Sequence, residues 1–224
     1  MRYIDINCDM GEGVGNDALI MPYINSANIA CGFHAGDAST IRDTISLALE
    51  NNVSIGAHVS FLDMANFGRT EMNITLSEIY ELVIQQLFIV NNIANKLGGE
   101  IKHVKPHGAL YNMSARDPLI AKKIAAAVKS YDAGLVLYGL SGSCSIDEAK
   151  NIGLVTMSEV FSDRTYQDDG SLTPRSQPNA LISDADKMIA HVKQIIEEKS
   201  VTTVTGKKIT IEADSICIHG DGDH

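Results

Sequence analysis

The chain has 224 residues, 45% of them hydrophobic but only 5% aromatic, with no tryptophan and a formal charge of −10 from 18 basic and 28 acidic side chains. That length suits one α/β domain with an aliphatic core. An acidic surface of this size excludes nucleic acid and anionic membranes as main partners, while a small anionic substrate stays open because a pocket's local charge can oppose the net charge.

Short β-branched runs alternate with longer amphipathic segments, the pattern of parallel β/α units. The first predicted strand covers 2–8, with no signal-like apolar region before it. A glycine-rich loop follows, Gly11-Glu12-Gly13-Val14-Gly15. It lacks dinucleotide spacing, and Glu12 would repel a phosphate, so Glu12 is read as aimed at a pocket. Residues 21–24 form at most a short helical turn. Further strands are predicted at 26–33, 53–59, 101–105, 135–138, 153–161 and 215–219, making seven. Helices are predicted at 40–51, 76–97, 118–130, 145–151 and 184–199. The second shows helical apolar spacing from Ile79 to Leu97, with Thr75 or Ser77 as its cap and Gly98-Gly99 as its stop. Residues 201–213 read as a small β-hairpin inserted before the last strand, within one barrel-like domain spanning 1–224. After the last strand only Gly220–His224 remain, so no closing helix is expected, and Ile216 and Ile218 are left without a cover.

No apolar run reaches the roughly 18 residues of a membrane span. The four cysteines (Cys8, Cys31, Cys144, Cys217) are widely spaced, with no C-x-x-C pair, which points to a reduced, cytoplasmic setting. Cys144 lacks a neighbouring base and is a weak candidate nucleophile.

The polar residues carry more information than any single motif. In the first strand Asp5, Asn7 and Asp9 share one face and Ile4, Ile6 and Cys8 the other. Parallel strands are normally apolar on both faces, so a carboxylate row inside a barrel needs partners or a function. Polar residues recur where the other strands end: His34 and Asp37, His58 and then Arg69, Lys105, His107 and Asn112, Glu159, Asp163 and Arg164, and finally His219. In (β/α) barrels these carboxyl-end loops build the active site. His34, Asp37, His58, His107 and His219 could ligate a divalent ion, but no H-E-x-x-H or comparable pair fixes a geometry, and no metal is assigned. No G-x-x-x-x-G-K-[ST] loop for ATP is present.

Several of these segments resemble the LamB/YcsF family. They are DINCDMGEG at 5–13, NIACGFHAGD at 28–37, GAHVSFLD at 56–63, FGRT at 67–70, VKPHGALYN at 104–112, the stretch holding Glu159, Asp163, Arg164 and Tyr166, and CIHGD at 217–221. They run in order along nearly the whole chain. Val59 stands where proline is expected and Thr70 where a second basic residue is usual, and the larger departure is the missing final helix. The resemblance implies a distorted, TIM-like, seven-stranded (β/α) barrel of the kind shared with polysaccharide deacetylases. It also implies work as the A subunit of an ATP-dependent 5-oxoprolinase with subunits B and C, turning 5-oxo-L-proline, ATP and two waters into L-glutamate, ADP and phosphate.

Opening a stable lactam calls for a base, for donors to the developing oxyanion or phosphate, and for a cation to hold the substrate carboxylate. Asp5, Asn7, Asp9, Glu12, His34, His58, Lys105, His107, Glu159, Asp163 and His219 form the candidate catalytic set, and Arg69, Arg164, Asn112 and Asp37 the substrate-binding set. Asp5 or His107 is the favoured base, Lys105 the oxyanion or phosphate partner, and Arg69 or Arg164 the carboxylate holder. Two alternatives remain: a stand-alone metal-dependent amide hydrolase or deacetylase on the same barrel, and a non-catalytic carbohydrate- or lactam-binding subunit.

Overall fold

Residues 3–219 are described by a computed structural model. Residues 1–2 and 220–224, where the first predicted strand begins and the chain leaves the last one, lie outside the described residues. In chain order the elements are β1 (Asp5–Met10), α1 (Asp17–Ile20), β2 (Ser26–Ala30), α2 (Ala38–Glu50), β3 (Ser54–Val59), α3 (Leu76–Lys96) and β4 (His103–Pro106). There follow α4 (Gly108–Arg116), α5 (Pro118–Tyr131), β5 (Val136–Leu140), α6 (Cys144–Asn151), β6 (Val155–Phe161), α7 (Ala185–Glu198), β7 (Ser200–Thr202), β8 (Lys208–Thr210) and β9 (Ser215–Cys217). Strands β1 to β6 run parallel around a barrel, and β9 closes it by pairing with both β6 and β1. This is the seven-stranded (β/α) barrel the sequence implies.

Local signals set the helix ends. Thr75 and Glu78 make a reciprocal capping box at the start of α3, whose Ile79, Val83, Leu87, Val90 and Ala94 bury one face against the barrel core. Asp117 accepts from Leu119 N and Ile120 N, and Pro118 opens α5 at a position that needs no backbone donor. Asp37 accepts from Thr40 N at 2.8 Å and starts α2 at Ala38, two residues before the expected 40.

The structure also departs from the sequence reading at the end of β2, after β4 and around Ile216. The second strand stops at Ala30 rather than 33, because Gly32 and Gly36, both at positive φ, turn the chain back so that Gly32 N donates to Ala35 O at 3.0 Å. The run after β4, where no helix is expected from the sequence, is a helix, α4. Pro106 ends the strand, and Gly108 sits at φ +55° where an added Cβ would lie 2.5 Å from Gly68 O. Ile216 is not left bare. Ile195 of α7, Val201 of β7 and Ile211 and Ala213 beyond β8 cluster with Val160 and Ile216, which is 5% exposed, whereas Ile218 remains 41% exposed. No helix of the described residues is long and apolar enough to cross a membrane.

The barrel interior is polar and layered. At its amino end Asp5 accepts from Ser26 Oγ at 2.7 Å, Ser215 Oγ at 2.5 Å and Tyr138 Oη at 3.2 Å. One layer up, Asn28 Nδ2 donates to Asn7 Oδ1 at 2.7 Å, Asn7 Nδ2 donates to Glu159 Oε1 at 3.0 Å, and His103 Nε2 donates to Asn28 Oδ1 at 2.9 Å. Burial, with the charge of Lys105, lowers the His103 imidazole pKa to about 3, so it sits in the barrel neutral. Its ring fills the space that a side chain at Gly56 would need: an added Cβ there would lie 2.0 Å from His103 Nε2. Gly56→Ala is therefore expected to destabilise the fold by about 1–3 kcal/mol through overpacking. Denaturant unfolding measures it, and an unchanged midpoint would show that the ring is not held there.

Candidate active site

The third layer forms the floor of the site. Lys105, from β4, is 2% exposed, and its Nζ lies 2.9 Å from Asp9 Oδ1, 2.8 Å from Glu159 Oε1, 3.2 Å from Asn7 Oδ1 and 3.2 Å from Cys217 Sγ. Asp9, Glu159 and Cys217 come from β1, β6 and β9, so one ammonium ties four strands together at one height. Burial works against its charge, but the Asp9 and Glu159 carboxylates outweigh burial and hold the Lys105 pKa well above its usual value. Burial likewise works against the charged Asp9 carboxyl, yet His58 and Lys105 hold it well below the usual carboxylate range. The Cys217 thiol is pushed well up, first by burial and despite Lys105, so it stays protonated beside the ammonium.

Above this floor a cavity of about 750 Å³ opens at the carboxyl ends of the strands. One wall is built from histidines. His58 comes from β3, His107 from the residue after β4, and His34 from the turn after β2, with Glu12 from the loop after β1 beside them. The His34 and His107 rings stack 3.9 Å apart, and His58 stands edge-on to both. Burial lowers the pKa of His34 and His107, and the neighbouring His58 adds to the effect in both.

A fourth imidazole lines the cavity after β9. His219 Nδ1 donates to Asp163 Oδ2 at 2.8 Å, and its ring stacks on Phe161. Burial opposes the Asp163 charge, but the hydrogen bond and charge of His219 win and lower the Asp163 pKa. This carboxylate–imidazole arrangement fixes the tautomer and leaves Nε2 for proton transfer.

Cations line the rim. Arg69, after β3, lies 4.9 Å over the Phe67 ring. Arg164, after β6, donates to Thr173 O at 2.6 Å and to Ala180 O at 3.3 Å, anchoring the loop that carries Arg175. Burial and then Arg175 lower the Arg164 pKa to about 10, which still leaves it charged at neutral pH and favours an anion beside the pair.

Among the residues singled out from the sequence, Asp9, Glu12, His58, Lys105, His107, His219, Arg69, Asn112 and Arg164 line this cavity. His34 stands behind His107, and Asp163 behind His219. Asn7 and Glu159 lie within the barrel below. Asp5 is deeper still, held by Ser26, Ser215 and Tyr138 at the amino end, so it does not meet Lys105 or the cavity. Asp37 does not line the cavity; Ser39 and Thr40 hold its carboxyl at about 2, where it caps α2. Reading the sequence missed Tyr111, whose buried hydroxyl has no hydrogen-bond partner among the described residues and lines the cavity beside Asn112. It lies inside the 104–112 run, but only the turn of α4 brings it inward.

Comparison with known proteins agrees with the geometry. The LamB/YcsF family profile matches residues 4–224. A relative from Shouchella clausii, named as the A subunit of 5-oxoprolinase, is 53% identical over 227 residues, covering 99% of this chain and 90% of its own. One of the same name from Bordetella pertussis is 51% identical over 223 residues, covering 97% and 88%. The crystal structure of a lactam utilization protein from Thermus thermophilus superposes with a TM-score of 0.90 at 38% identity, covering 98% of this chain and 90% of that one. A putative cellobiose-phosphate cleavage protein from Enterococcus faecalis shares the fold at a TM-score of 0.58 and 12% identity, over 97% of this chain and 80% of that one. The chain belongs to the LamB/YcsF family.

Proposed function

We propose that this chain is the A subunit of an ATP-dependent 5-oxoprolinase, opening the lactam ring of 5-oxo-L-proline to L-glutamate as ATP becomes ADP and phosphate, in company with subunits B and C. The observation that carries this proposal is identity above one half, along almost the full length, to relatives named as 5-oxoprolinase A subunits. The chemistry of the cavity supports it.

A γ-lactam carbonyl is a poor electrophile. Phosphorylating its oxygen would give water an activated carbon to attack; the ring nitrogen then leaves with a proton, giving an acyl phosphate that a second water hydrolyses to the carboxylate and free phosphate. Such a reaction needs two anion-binding regions, one for the substrate carboxylate and one for the phosphate. Arg69 on the β3 side and Arg164 with Arg175 on the β6 side supply them, with planar forks suited to either anion. The Tyr111 hydroxyl offers a donor to the oxygen that gains charge. His219, oriented by Asp163, is the group best placed to take a proton from water or deliver one to the ring nitrogen.

Lys105 takes a different role from the expected oxyanion partner. Its three N–H bonds are shared among four acceptors, so it could meet an incoming oxygen only by releasing one of them. We assign it to positioning, keeping Asp9 ionised and holding Asp9 and Glu159 fixed beneath the substrate. Handling of ATP falls to the partner subunits. A stand-alone amide hydrolase remains the rival, drawing on the histidine wall.

Reconstitution separates the two. With subunits B and C this chain should convert 5-oxo-L-proline and ATP to glutamate, and alone it should release none. Glutamate formed by the chain alone without ATP would favour the stand-alone hydrolase. In the reconstituted enzyme, His219→Ala should lower kcat by about 100- to 10,000-fold, the usual contribution of one acid–base group. It should also flatten the limb of the pH–rate profile that this imidazole sets. Near-normal turnover in the variant would remove His219 from the proton path.

A further inference from the structure

The histidine wall contains a pair of atoms that should not face one another. His58 Nδ1 lies 3.0 Å from Lys105 O, and His107 Nε2 lies 2.9 Å from Phe67 O. A carbonyl oxygen only accepts, so those two ring nitrogens carry protons, and with both rings neutral the others, His58 Nε2 and His107 Nδ1, present lone pairs. These two atoms are 2.8 Å apart. Lone pairs at that distance repel unless a cation lies between or beside them.

Two further groups converge on the same point. Glu12 Oε1 is 3.6 Å from His107 Nδ1, 3.9 Å from His58 Nε2 and 3.3 Å from His34 Nε2. One ligand atom from each of the four side chains falls within 4.8 Å of the others. Metal–nitrogen bonds of about 2.0–2.1 Å place neighbouring ligand atoms roughly 3.0–3.5 Å apart around a tetrahedral or octahedral ion. The His58–His107 separation and the three from Glu12 to the histidines, 2.8 to 3.9 Å, bracket that range. All four side chains are no more than 8% exposed. Backbone carbonyls gripping the far nitrogens of His58 and His107 hold both rings in the orientation that histidine ligands need.

We infer that Glu12, His34, His58 and His107 form a binding site for one divalent transition-metal ion. Three imidazoles and one carboxylate suit zinc, cobalt or manganese and disfavour calcium and magnesium, which prefer all-oxygen surroundings. The rival occupant is a proton shared between His58 and His107 and balanced by Asp9, whose Oδ2 lies 3.2 Å from His58 Nε2. A proton satisfies that one edge but gives no reason for Glu12 and His34 to converge on it. An ion here would border the cavity and could polarise a substrate oxygen or acidify a bound water. The site does not depend on the 5-oxoprolinase proposal, because binding is read without turnover.

The test uses the full chain, stripped with a chelator and titrated at neutral pH with zinc by calorimetry and with cobalt by visible absorption. One ion per chain should bind with a Kd below about 1 μM, with cobalt d–d bands, and zinc should raise the melting temperature. His58→Ala and His107→Ala should each weaken binding by about 100-fold or more, with circular dichroism verifying the fold. Glu12→Gln, which keeps the side-chain volume, should weaken it by about 10-fold or more and decides the matter if the histidine variants do not fold. Absence of saturable binding would overturn the inference in favour of the shared proton. Binding that survives Glu12→Gln and the folded histidine variants unchanged would also overturn it, by placing the ion elsewhere.

Discussion

The rest of this barrel is organised around a buried ammonium. Lys105 sits at the centre with Asp9 and Glu159 within 2.9 Å, and the amides of Asn7 and Asn28 link that group to the layers below. Burying three charges costs several kcal/mol per ion, recovered only if geometry and hydrogen bonding are close to complete. The pKa directions set where the pair stabilises. The folded value of Asp9 lies below its unfolded value near 3.9, so its contribution is full above that pH and fades as pH falls through the depressed value. For Lys105 the folded value lies above the unfolded one near 10.4, so its contribution is full below that and fades only as pH rises through the raised value. Between roughly pH 4 and pH 10 both hold, and the floor of the cavity stays fixed.

Much of this was legible in the sequence for a physical reason. Side chains alternate along a strand, so Asp5, Asn7 and Asp9 had to share a face, and a polar face in a parallel barrel strand had to find partners. Lys105 and His107 fall on one face by the same rule, and both line the cavity. Helix α3 was legible because its capping box and apolar stripe are both local signals.

What the sequence did not reveal depends on closure. Height inside a barrel is set by how the strands are staggered, and the stagger is not a local property. Asp5 and Asp9 look equivalent in sequence, yet one is locked at the amino end by Ser26, Ser215 and Tyr138 and the other lines the cavity. Asp37 looked like a site residue because it follows His34, but it caps α2. Helix α4 was hidden because the proline and glycine that flank its start are breakers only inside a helix. Tyr111 was hidden with it. The convergence of Glu12 with three histidines needs four separate loops and strands to meet, and no spacing along the chain records that.

Lys105 and its carboxylates act as one unit. A double-mutant cycle of Lys105→Met and Glu159→Gln, measured by denaturant unfolding at neutral pH, tests it most directly. Removing the ammonium alone strands two buried carboxylates, at an expected cost of about 3–5 kcal/mol. Neutralising Glu159 in that background should return part of the loss, giving a coupling of about 2 kcal/mol or more. Losses that add to within about 0.5 kcal/mol would contradict the account, because the two groups would then stabilise the barrel independently.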